Sequence, residues 1–181
     1  MAVFLDVETS SLHADIGSLI VAGFLKEKEE KFFFVESPKE EKKILEEILE
    51  YLEKIKKEKI YIWNASFDVP FLISRCIRHG VKTKVFTQLR VIDLLKFSRE
   101  VLRLSSNRLD DVSAFLGIEK NLKVTGKDIQ KFYEEFLSGD KEMKEEIISH
   151  CRDDLVSLSK FYERVKDLVE AWEKKQKNFL F

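Results

Sequence analysis

The sequence predicts an α/β fold in which helices flank a mixed central sheet, built as one domain over residues 1–181. Apolar runs rich in β-branched and aromatic residues predict five strands, near 2–8, 18–26, 30–36, 59–64 and 84–90. Apolar residues spaced three and four apart predict six helices, one starting at Ser37-Pro38 and the others near 67–79, 91–103, 107–116, 126–138 and 141–175. Three strands precede the first helix, and strands then alternate with helices. This order is typical of a sheet that contains both antiparallel and parallel pairs.

The first predicted strand, near 2–8, carries two acidic residues among apolar ones. Because strand side chains alternate between the two faces, Asp6 and Glu8 share a face with Phe4. Two carboxylates on one face, two residues apart, can reach a single metal cluster. The alternative is a strand that ends in solvent, which would leave both acids merely exposed.

The next strands are apolar throughout and lead into the first predicted helix. Ser37 is a good N-cap residue, and Pro38 suits the first turn of a helix. The apolar residues of this helix form a single stripe, consisting of Ile44, Leu45, Ile48, Leu49, Leu52 and Ile55.

A second acidic motif follows the strand near 59–64. The helix predicted over 67–79 directs four apolar residues inward, namely Leu72, Ile73, Cys76 and Ile77. Asp68 lies at the start of this helix, where an acid caps free backbone N–H groups and meets the helix dipole. Capping alone would explain Asp68, so this segment by itself does not decide between a structural and a functional carboxylate.

The last predicted helix gives a sharper argument, because the sequence from 141 to 177 contains neither Gly nor Pro. Its inward stripe consists of Ile147, Cys151, Leu158, Phe161, Val165, Leu168 and Trp172. At about 100° per residue, Asp154 lies near the centre of this stripe, and His150 lies one turn earlier on the same side. The alternative is a buried His–Asp hydrogen bond that serves packing alone.

The chain therefore places four acids where the surrounding pattern calls for buried residues, and these are Asp6, Glu8, Asp68 and Asp154. Burying an ionised carboxylate costs several kcal/mol unless it is paired or bound to a metal. Four such acids in one small domain indicate a shared cationic partner, for which a divalent metal is the natural candidate.

These acidic motifs together resemble those of the DEDD exonuclease superfamily, also called DnaQ-like. Residues Phe4 to Leu12, F-L-D-V-E-T-S-S-L, are similar to its first motif, F-x-D-x-E-T-T-G-L. Residues Asn64 to Leu72 are similar to its second motif, N-x-x-F-D-x-P-x-L, and His150 to Leu158 are similar to the third. The third motif combines a histidine with the spacing of the family's Tyr-x-x-x-Asp form. In this it is most similar to the standalone YprB-like branch, related to the exonuclease domain of family-B DNA polymerases.

The resemblance implies a ribonuclease-H-like fold and a metal-dependent 3′–5′ exonuclease that acts on single-stranded DNA or RNA 3′ ends. The expected cofactors are two divalent cations, Mg²⁺ or Mn²⁺, because these metals prefer oxygen ligands. The implied metal ligands are Asp6, Glu8, Asp68 and Asp154. His150 is the implied general base or water-orienting group, since the pKa of a histidine lies near working pH. The implied nucleotide contacts are Thr9, Ser10 and Leu12 for the terminal nucleotide, and Asn64 and Phe67 for the penultimate one.

Two rival classes of function remain open at this point. One is a nucleic-acid-binding module of the same fold with weak or no nuclease activity, although the presence of all four acids favours the enzyme. The other is a structural partner protein, which would have no need of inward-facing carboxylates. Melting temperature with and without metal separates the metal-site interpretations from the structural one, because a ligand that binds only the folded state stabilises it.

Composition limits the partners of the protein. The net charge of −1 provides no global basic field, so any nucleic acid must be bound through local cations. Candidate cations near the motifs are Arg75, Arg78, Lys120, Lys123, Lys127 and Arg152.

Two cysteines make no disulfide framework, and we expect a reduced, cytoplasmic setting. The resemblance to the exonuclease family implies DNA repair as the associated process. No apolar run reaches the roughly 18–20 residues that span a bilayer, and no signal peptide is recognisable, so we expect no membrane partner. A zinc site formed by Cys76, His79, His150 and Cys151 is a weak alternative, because both cysteines lie on apolar helix stripes.

Overall fold

The computed structural model describes residues 1–120 and 126–178, including all their side chains except those of residues 127 and 176–178. Within this part of the chain, five strands form one sheet: β1 Ala2–Thr9, β2 Leu19–Lys26, β3 Glu29–Phe34, β4 Lys59–Ile62 and β5 Arg90–Asp93. The α-helices are α1 Glu41–Ile55, α2 Ala65–Arg78, α3 Leu94–Val101, α4 Leu109–Phe115, α5 Gly126–Leu137 and α6 Met143–Asn178. The sheet order is β3-β2-β1-β4-β5, with antiparallel pairs on the β2 side of β1 and parallel pairs on the β4 side. The predicted mixed sheet is therefore confirmed.

The central strand β1 separates two hydrophobic cores. Val3, Leu5 and Val7 pack beneath α1 and α2, whereas Phe4 packs on the opposite face among residues of α3 to α6. The alternation predicted for β1 is thus observed, and it turns Asp6 toward the α6 side of the sheet. No helix in the described ranges combines the length and the apolar character that crossing a membrane requires.

The fifth strand lies later in the chain than predicted. Residues Lys84–Gln88, expected to be a strand, form a 3₁₀ helix, and β5 occupies positions that the prediction gave to a helix over 91–103. The side chain of Asp93 explains the boundary, because its Oδ1 atom accepts hydrogen bonds from the backbone N–H groups of Leu95 at 2.9 Å and Lys96 at 3.1 Å. This N-cap starts α3 at Leu94 and leaves the β-branched residues before it free to pair with β4.

The predicted helix starts on the α1 and α2 side also need correction. A short 3₁₀ turn, Pro38–Glu40, precedes α1, and Ser37 makes no capping hydrogen bond through its side chain. Helix α2 begins earlier than predicted, after Asn64, whose φ of 72° lies in the left-handed region. Asp68 therefore lies in the first turn of α2, and the N-cap position belongs to Asn64.

One residue of the expected inward face of α2 points outward. Ile77 is 66% exposed, whereas Arg75 is only 5% exposed. The guanidinium of Arg75 is held inside by the carboxylate of Glu41, with Nε 2.8 Å from Oε1. The burial of this charged pair, which hydrophobic periodicity does not detect, rotates the buried face of α2 away from Ile77.

Helix α6 extends for 36 residues across the sheet, and its apolar stripe is largely as predicted. Leu168, which the prediction placed inside, is 53% exposed, and Val169 is fully buried in its place. A helix has 3.6 residues per turn, so the buried stripe alternates between steps of three and four residues, and Val165 is followed by a step of four.

Gly23 of β2 sets how closely α6 approaches the sheet. A Cβ atom at this position would lie 2.5 Å from Sγ of Cys151 and 2.9 Å from Cδ1 of Leu155. Contacts this short do not occur between real Cβ atoms and their neighbours, so only glycine fits beneath the helix here. Gly23 is also the β2 partner of Asp6 in the sheet register.

Candidate active site

The first two site residues are positioned by the central strand. Asp6 and Glu8 both project from β1 toward α6, opposite Gly23 and Val21 of β2. The register of the sheet shifts between Glu8 and Thr9, at the end of the strand. The side chain of Glu8 is only 12% exposed, so the alternative of a strand whose acids merely face solvent is wrong.

Helix α6 brings two further site residues to the same place. The Nε2 atom of His150 lies 3.3 Å from Oε1 of Glu8 and 3.8 Å from Oδ2 of Asp154. The ligand atoms of these three residues all lie within 4.8 Å of one another. His150 is thus closer to Glu8 than to its helical neighbour, so its ring faces a carboxylate of β1 as well as one of α6.

The remaining acid comes from α2. Asp68 is 3% exposed and interacts electrostatically with Asp6 and with Glu8. Its carboxylate lies outside the group formed by Glu8, His150 and Asp154, yet it belongs to the same charged region. Asp6 also lies outside this three-residue group, but it interacts electrostatically with Glu8, Asp68 and Asp154, so all four acids that the sequence selected share one charged region.

Burial and mutual repulsion raise the pKa values in this cluster. Burial, followed by the charge of Asp154, raises the pKa of Asp6 from 3.8 to about 7. Burial and the neighbouring carboxylates likewise raise the pKa of Glu8 and of Asp68 well above their ordinary values. Burial lowers the pKa of His150, which favours the neutral imidazole. Without a bound cation, the carboxyl groups of the site therefore resist full ionisation.

Lys120 supplies a positive charge to this cluster. Its ammonium group donates hydrogen bonds to the carboxylates of Asp110 and Asp154. The sequence analysis placed Lys120 among candidate nucleic-acid contacts, whereas in the structure its described partners are these two acids. Asp110 was not among the predicted site residues, and no motif in the sequence marks it.

The donor set fits divalent cations that prefer oxygen ligands. One carboxylate oxygen of Asp6, Oδ2, is buried without any hydrogen-bond partner, which is costly unless a cation completes its coordination. The three-residue ligand group offers two carboxylates and one imidazole and contains no cysteine. Among the described residues, the alternative of a zinc site built on Cys76 and Cys151 therefore has no support from the ligand geometry.

Three of the predicted nucleotide-binding residues closely follow Glu8 in the sequence. In the loop after β1, Oγ1 of Thr9 donates to the carbonyl of Ser11 at 2.8 Å, and Oγ of Ser10 accepts from the backbone N–H of Ser18 at 2.9 Å. Leu12 follows in this loop and is 77% exposed.

Two more of these predicted contacts lie at the start of α2. The backbone N–H of Asn64 donates to Oδ1 of Asp93 at 3.3 Å, and the Asn64 side chain accepts a hydrogen bond from Ser66 at 2.7 Å. The ring of Phe67 lies 5.6 Å from that of Phe71. Leu12 and Phe67 border the same groove.

The other predicted cations have different outcomes. Arg75 is buried against Glu41, so it is not available to a nucleic acid. Arg152 forms ion pairs with Glu30 of β3 and Glu145 of α6. Arg78 is exposed at the end of α2. Position 123 and the side chain at position 127 lie outside the described part of the protein.

Comparison with known proteins agrees with this architecture. A family model for the RNase H superfamily matches residues 3–166. The chain belongs to the RNase H superfamily. This membership confirms the predicted ribonuclease-H-like fold, and it implies nuclease-type hydrolysis of a nucleic acid. Nucleases of this superfamily generally use divalent metals, for which the acidic cluster is a candidate site.

A solved structure places the same fold inside a larger protein. The family B DNA polymerase from the hyperthermophilic archaeon Pyrobaculum calidifontis matches with a TM-score of 0.78 at 15% sequence identity, over 91% of this chain. The chain spans only 24% of that polymerase. The similarity therefore extends over only part of the polymerase, and it concerns the fold alone. No curated protein sequence matches the chain.

Proposed function

We propose that this member of the RNase H superfamily is a metal-dependent 3′–5′ exonuclease that hydrolyses the terminal phosphodiester bond of single-stranded nucleic acids, and that residues 1–181 form its exonuclease domain. The observation that carries the proposal is the unpaired Oδ2 atom of Asp6, buried among carboxylates from three different elements. Burying a carboxylate oxygen without a partner is costly, and a bound cation would supply the missing partner. The acidic motifs of the sequence and their order along the chain also support the proposal.

The proposed metal ligands are the four acids of the cluster. Asp6 is central and would be shared by both cations, Glu8 and Asp154 would hold one of them, and Asp68 would hold the other. When bound, Mg²⁺ or Mn²⁺ ions supply positive charge at the scissile phosphate, which favours attack by water and departure of the alkoxide. Oxygen donors and the high negative charge of the site suit both ions.

His150 has the chemistry of a proton acceptor. Its lowered pKa keeps the imidazole neutral at physiological pH, so it can take a proton from the attacking water. The new bond joins the water oxygen to phosphorus, and the bond from phosphorus to the 3′ oxygen of the preceding nucleotide breaks. The products are a 5′-mononucleotide and a strand shortened by one nucleotide.

The preference for a strand end rests on the residues beside the acids. Leu12, four residues after Glu8, and Phe67, the residue before Asp68, present apolar surface in one groove, where bases of an unpaired strand can stack and pack. The similarity to part of a DNA polymerase supports DNA as one substrate, and single-stranded RNA is the other candidate.

Digestion of matched end-labelled strands tests the proposal. Single-stranded DNA and RNA of the same sequence, labelled at the 5′ end, are incubated with the protein and Mg²⁺ or Mn²⁺. We expect a ladder that shortens one nucleotide at a time from the 3′ end, and no cutting by an Asp154→Asn control. Efficient cleavage of a circular single strand would show an endonuclease and refute the proposal.

A nucleic-acid-binding module without hydrolysis is the second candidate, favoured by the Lys120 ammonium that already neutralises Asp154. Two measurements separate it from the enzyme. If the protein is an enzyme, Mn²⁺ should raise its melting temperature and labelled strands should be cut. A binding module predicts that the strand is bound but remains intact with either metal.

A further inference from the structure

A groove runs along α2 away from the acidic cluster. It has a volume of about 630 Å³, and Leu12 and Phe67 border it together with Phe71, Ile77 and Arg78. The apolar side chains at its two ends are exposed, with Leu12 at 77% and Ile77 at 66%. The groove thus continues the surface where the terminal nucleotides are proposed to lie, and it is open to solvent along its length.

The wall opposite α2 is held in a fixed position. Nη1 of Arg75 donates a 2.8 Å hydrogen bond to the backbone carbonyl of Ala14, in the loop that carries Leu12. Glu41, itself 2% exposed, accepts two hydrogen bonds from Arg75 and one from the backbone N–H of Leu19. A buried charged network therefore ties the loop to α1, α2 and β2. The exposure of Leu12 is built into the structure and does not result from a loose loop.

Tight packing within the loop supports the same conclusion. A Cβ atom on Gly17 would lie 2.7 Å from Cβ of Ser11, so the chain closes on itself just before β2. The backbone N–H of Gly17 also donates to the carbonyl of His13 at 2.8 Å. The loop is thus a compact turn that presents Leu12 at its outer side.

The chemistry of the groove suits an unpaired nucleic-acid strand. Phe67 offers an aromatic ring and Ile77 an apolar contact, both of which accept the faces of bases without regard to sequence. Arg78 adds an exposed guanidinium at the far end, where it can meet a backbone phosphate. Asp15 is the one acidic residue that borders the groove in the described structure, and His13 lies beside it.

We propose that this groove binds the nucleotides upstream of the 3′ end, so that the protein acts on single strands of a minimum length. The inference rests on the proposed function, and it names the substrate of that site more closely. From Phe67 to Arg78 the helix rises about 16 Å, at about 1.5 Å per residue. Stacked bases are about 3.4 Å apart, so the groove takes at most about five nucleotides, fewer if the strand is stretched.

Binding of fluorescein-labelled deoxythymidine strands of two to ten nucleotides, measured by anisotropy in EDTA, tests the inference without hydrolysis. We expect affinity to rise with length up to about five nucleotides and then to level off. Arg78→Gln should weaken binding of the ten-nucleotide strand about 3- to 10-fold and reduce the salt dependence by about 0.7 in slope, the value of one phosphate contact. Ile77→Ser should weaken binding of the long strand while leaving the dinucleotide unaffected.

Arg90→Gln is the matched control, because Arg90 is an exposed arginine at the start of the edge strand β5 and does not border the groove. It should change neither the affinity nor the salt slope. Both variants in the groove alter exposed side chains, so melting temperatures equal to that of the wild type are expected, and they exclude misfolding as the cause.

The outcomes separate this inference from the proposed function. Length-dependent binding that Arg78→Gln reduces, together with strands that stay intact in Mg²⁺ and Mn²⁺, would support the groove and refute the exonuclease. If hydrolysis is normal but the dinucleotide binds as tightly as the ten-nucleotide strand, the role of the groove is refuted and the proposed exonuclease activity is not. Unchanged binding in both variants, or no binding of the long strand by the wild type, would also overturn the inference and leave a protein partner as the occupant of the exposed apolar surface.

Discussion

The imidazole of His150 lies 3.3 Å from the carboxylate of Glu8, which joins the first strand of the sheet to the last helix. The same Nε2 atom lies 3.8 Å from Asp154, so one ring nitrogen faces two proposed metal ligands. A neutral imidazole in this position can receive a proton beside the metals. A charged one would instead compete with them for the two carboxylates.

This geometry makes the role of His150 measurable. If His150 handles the proton of the attacking water, His150→Ala should lower kcat by ~10²–10⁴ while metal affinity changes little. Steady-state kinetics and the melting temperature should be measured together. A variant that melts earlier but turns over normally would identify His150 as a packing residue.

His150→Tyr provides the matched comparison. The third motif already has the spacing of the Tyr-x-x-x-Asp form, so a tyrosine hydroxyl at this position can take part in orienting the water. We expect His150→Tyr to recover part of the rate that His150→Ala loses. Equal rates for the two variants would contradict a role in handling the water.

The raised pKa of Asp6 predicts a pH dependence of stability in the metal-free protein. Between 3.8 and about 7 the folded protein holds a proton on Asp6 that the unfolded chain releases, so stability falls as pH rises through this window. Asp6→Asn removes the effect and should stabilise the metal-free protein above pH 7, by on the order of 4 kcal/mol at most.

Urea unfolding in EDTA at pH 5 and pH 8 checks this prediction as the difference between wild type and Asp6→Asn, in which the titrations of groups distant from the cluster cancel. Mn²⁺ at about 100 times its Kd should stabilise only the wild type, by about 2.7 kcal/mol. The variant should also lose hydrolysis. An Asp6→Asn protein with near-normal activity in Mn²⁺ would show that the metal assignment is wrong.

Lys120 should matter most when metal is absent. Its ammonium donates to Asp110 and Asp154, so Lys120→Gln should destabilise the metal-free protein by about 1–3 kcal/mol. With Mn²⁺ bound the loss should be smaller, because the metal takes over neutralisation of Asp154.

A surface pair is the control for Lys120. Lys96 lies 3.9 Å from Glu100 on an exposed face, and Lys96→Gln should cost no more than about 1 kcal/mol, with or without metal. Unfolding free energies in EDTA and in Mn²⁺ compare the two variants. If Lys120→Gln loses the same free energy of unfolding in EDTA and in Mn²⁺, the metal does not take over the neutralisation of Asp154 from this lysine.

Gly23 should control the distance between α6 and the acids of β1. Gly23→Ala places a methyl group 2.5 Å from Sγ of Cys151, so the helix must move outward by a fraction of an ångström. We expect a loss of about 1–3 kcal/mol in stability and a drop in kcat toward 10²-fold, since catalysis is sensitive to displacements of about 1 Å.

Removing the obstructing sulfur tests the cause. The double variant Gly23→Ala with Cys151→Ala should recover part of both losses, because the methyl group then occupies the space of the thiol. Recovery of stability without any recovery of kcat would argue against a positioning role for this contact.

The sequence predicts those features that follow from local periodicity. Alternation along β1 correctly places Asp6 and Glu8 on one face, and the helical period correctly puts His150 and Asp154 on one side of α6. Both patterns depend only on neighbouring residues. Joining the two elements needed the resemblance of the motifs, because periodicity does not say which strand a helix covers.

Other features depend on partners far away in the sequence and were missed. Arg75 is buried and Ile77 is exposed, the reverse of the expectation, because Glu41 supplies a buried carboxylate to Arg75 from 34 residues earlier in the chain. Lys120 reaches Asp154, also 34 positions away, through a contact that no local pattern marks. β5 was mistaken for a helix because the capping by Asp93, which ends the strand, lies within an otherwise apolar run.

The close packing of α6 against Gly23 has a consequence for how the protein loses activity. Helix α6 contributes both His150 and Asp154, whereas strand β1 contributes Asp6 and Glu8, which are two of the four proposed metal ligands. Any opening that lifts α6 from β2 would therefore dismantle the site while the sheet and its other core stay folded. The rate of hydrolysis would then depend on whether α6 is packed on the sheet. On heating, hydrolysis should therefore be lost at a lower temperature than the one at which the whole protein unfolds.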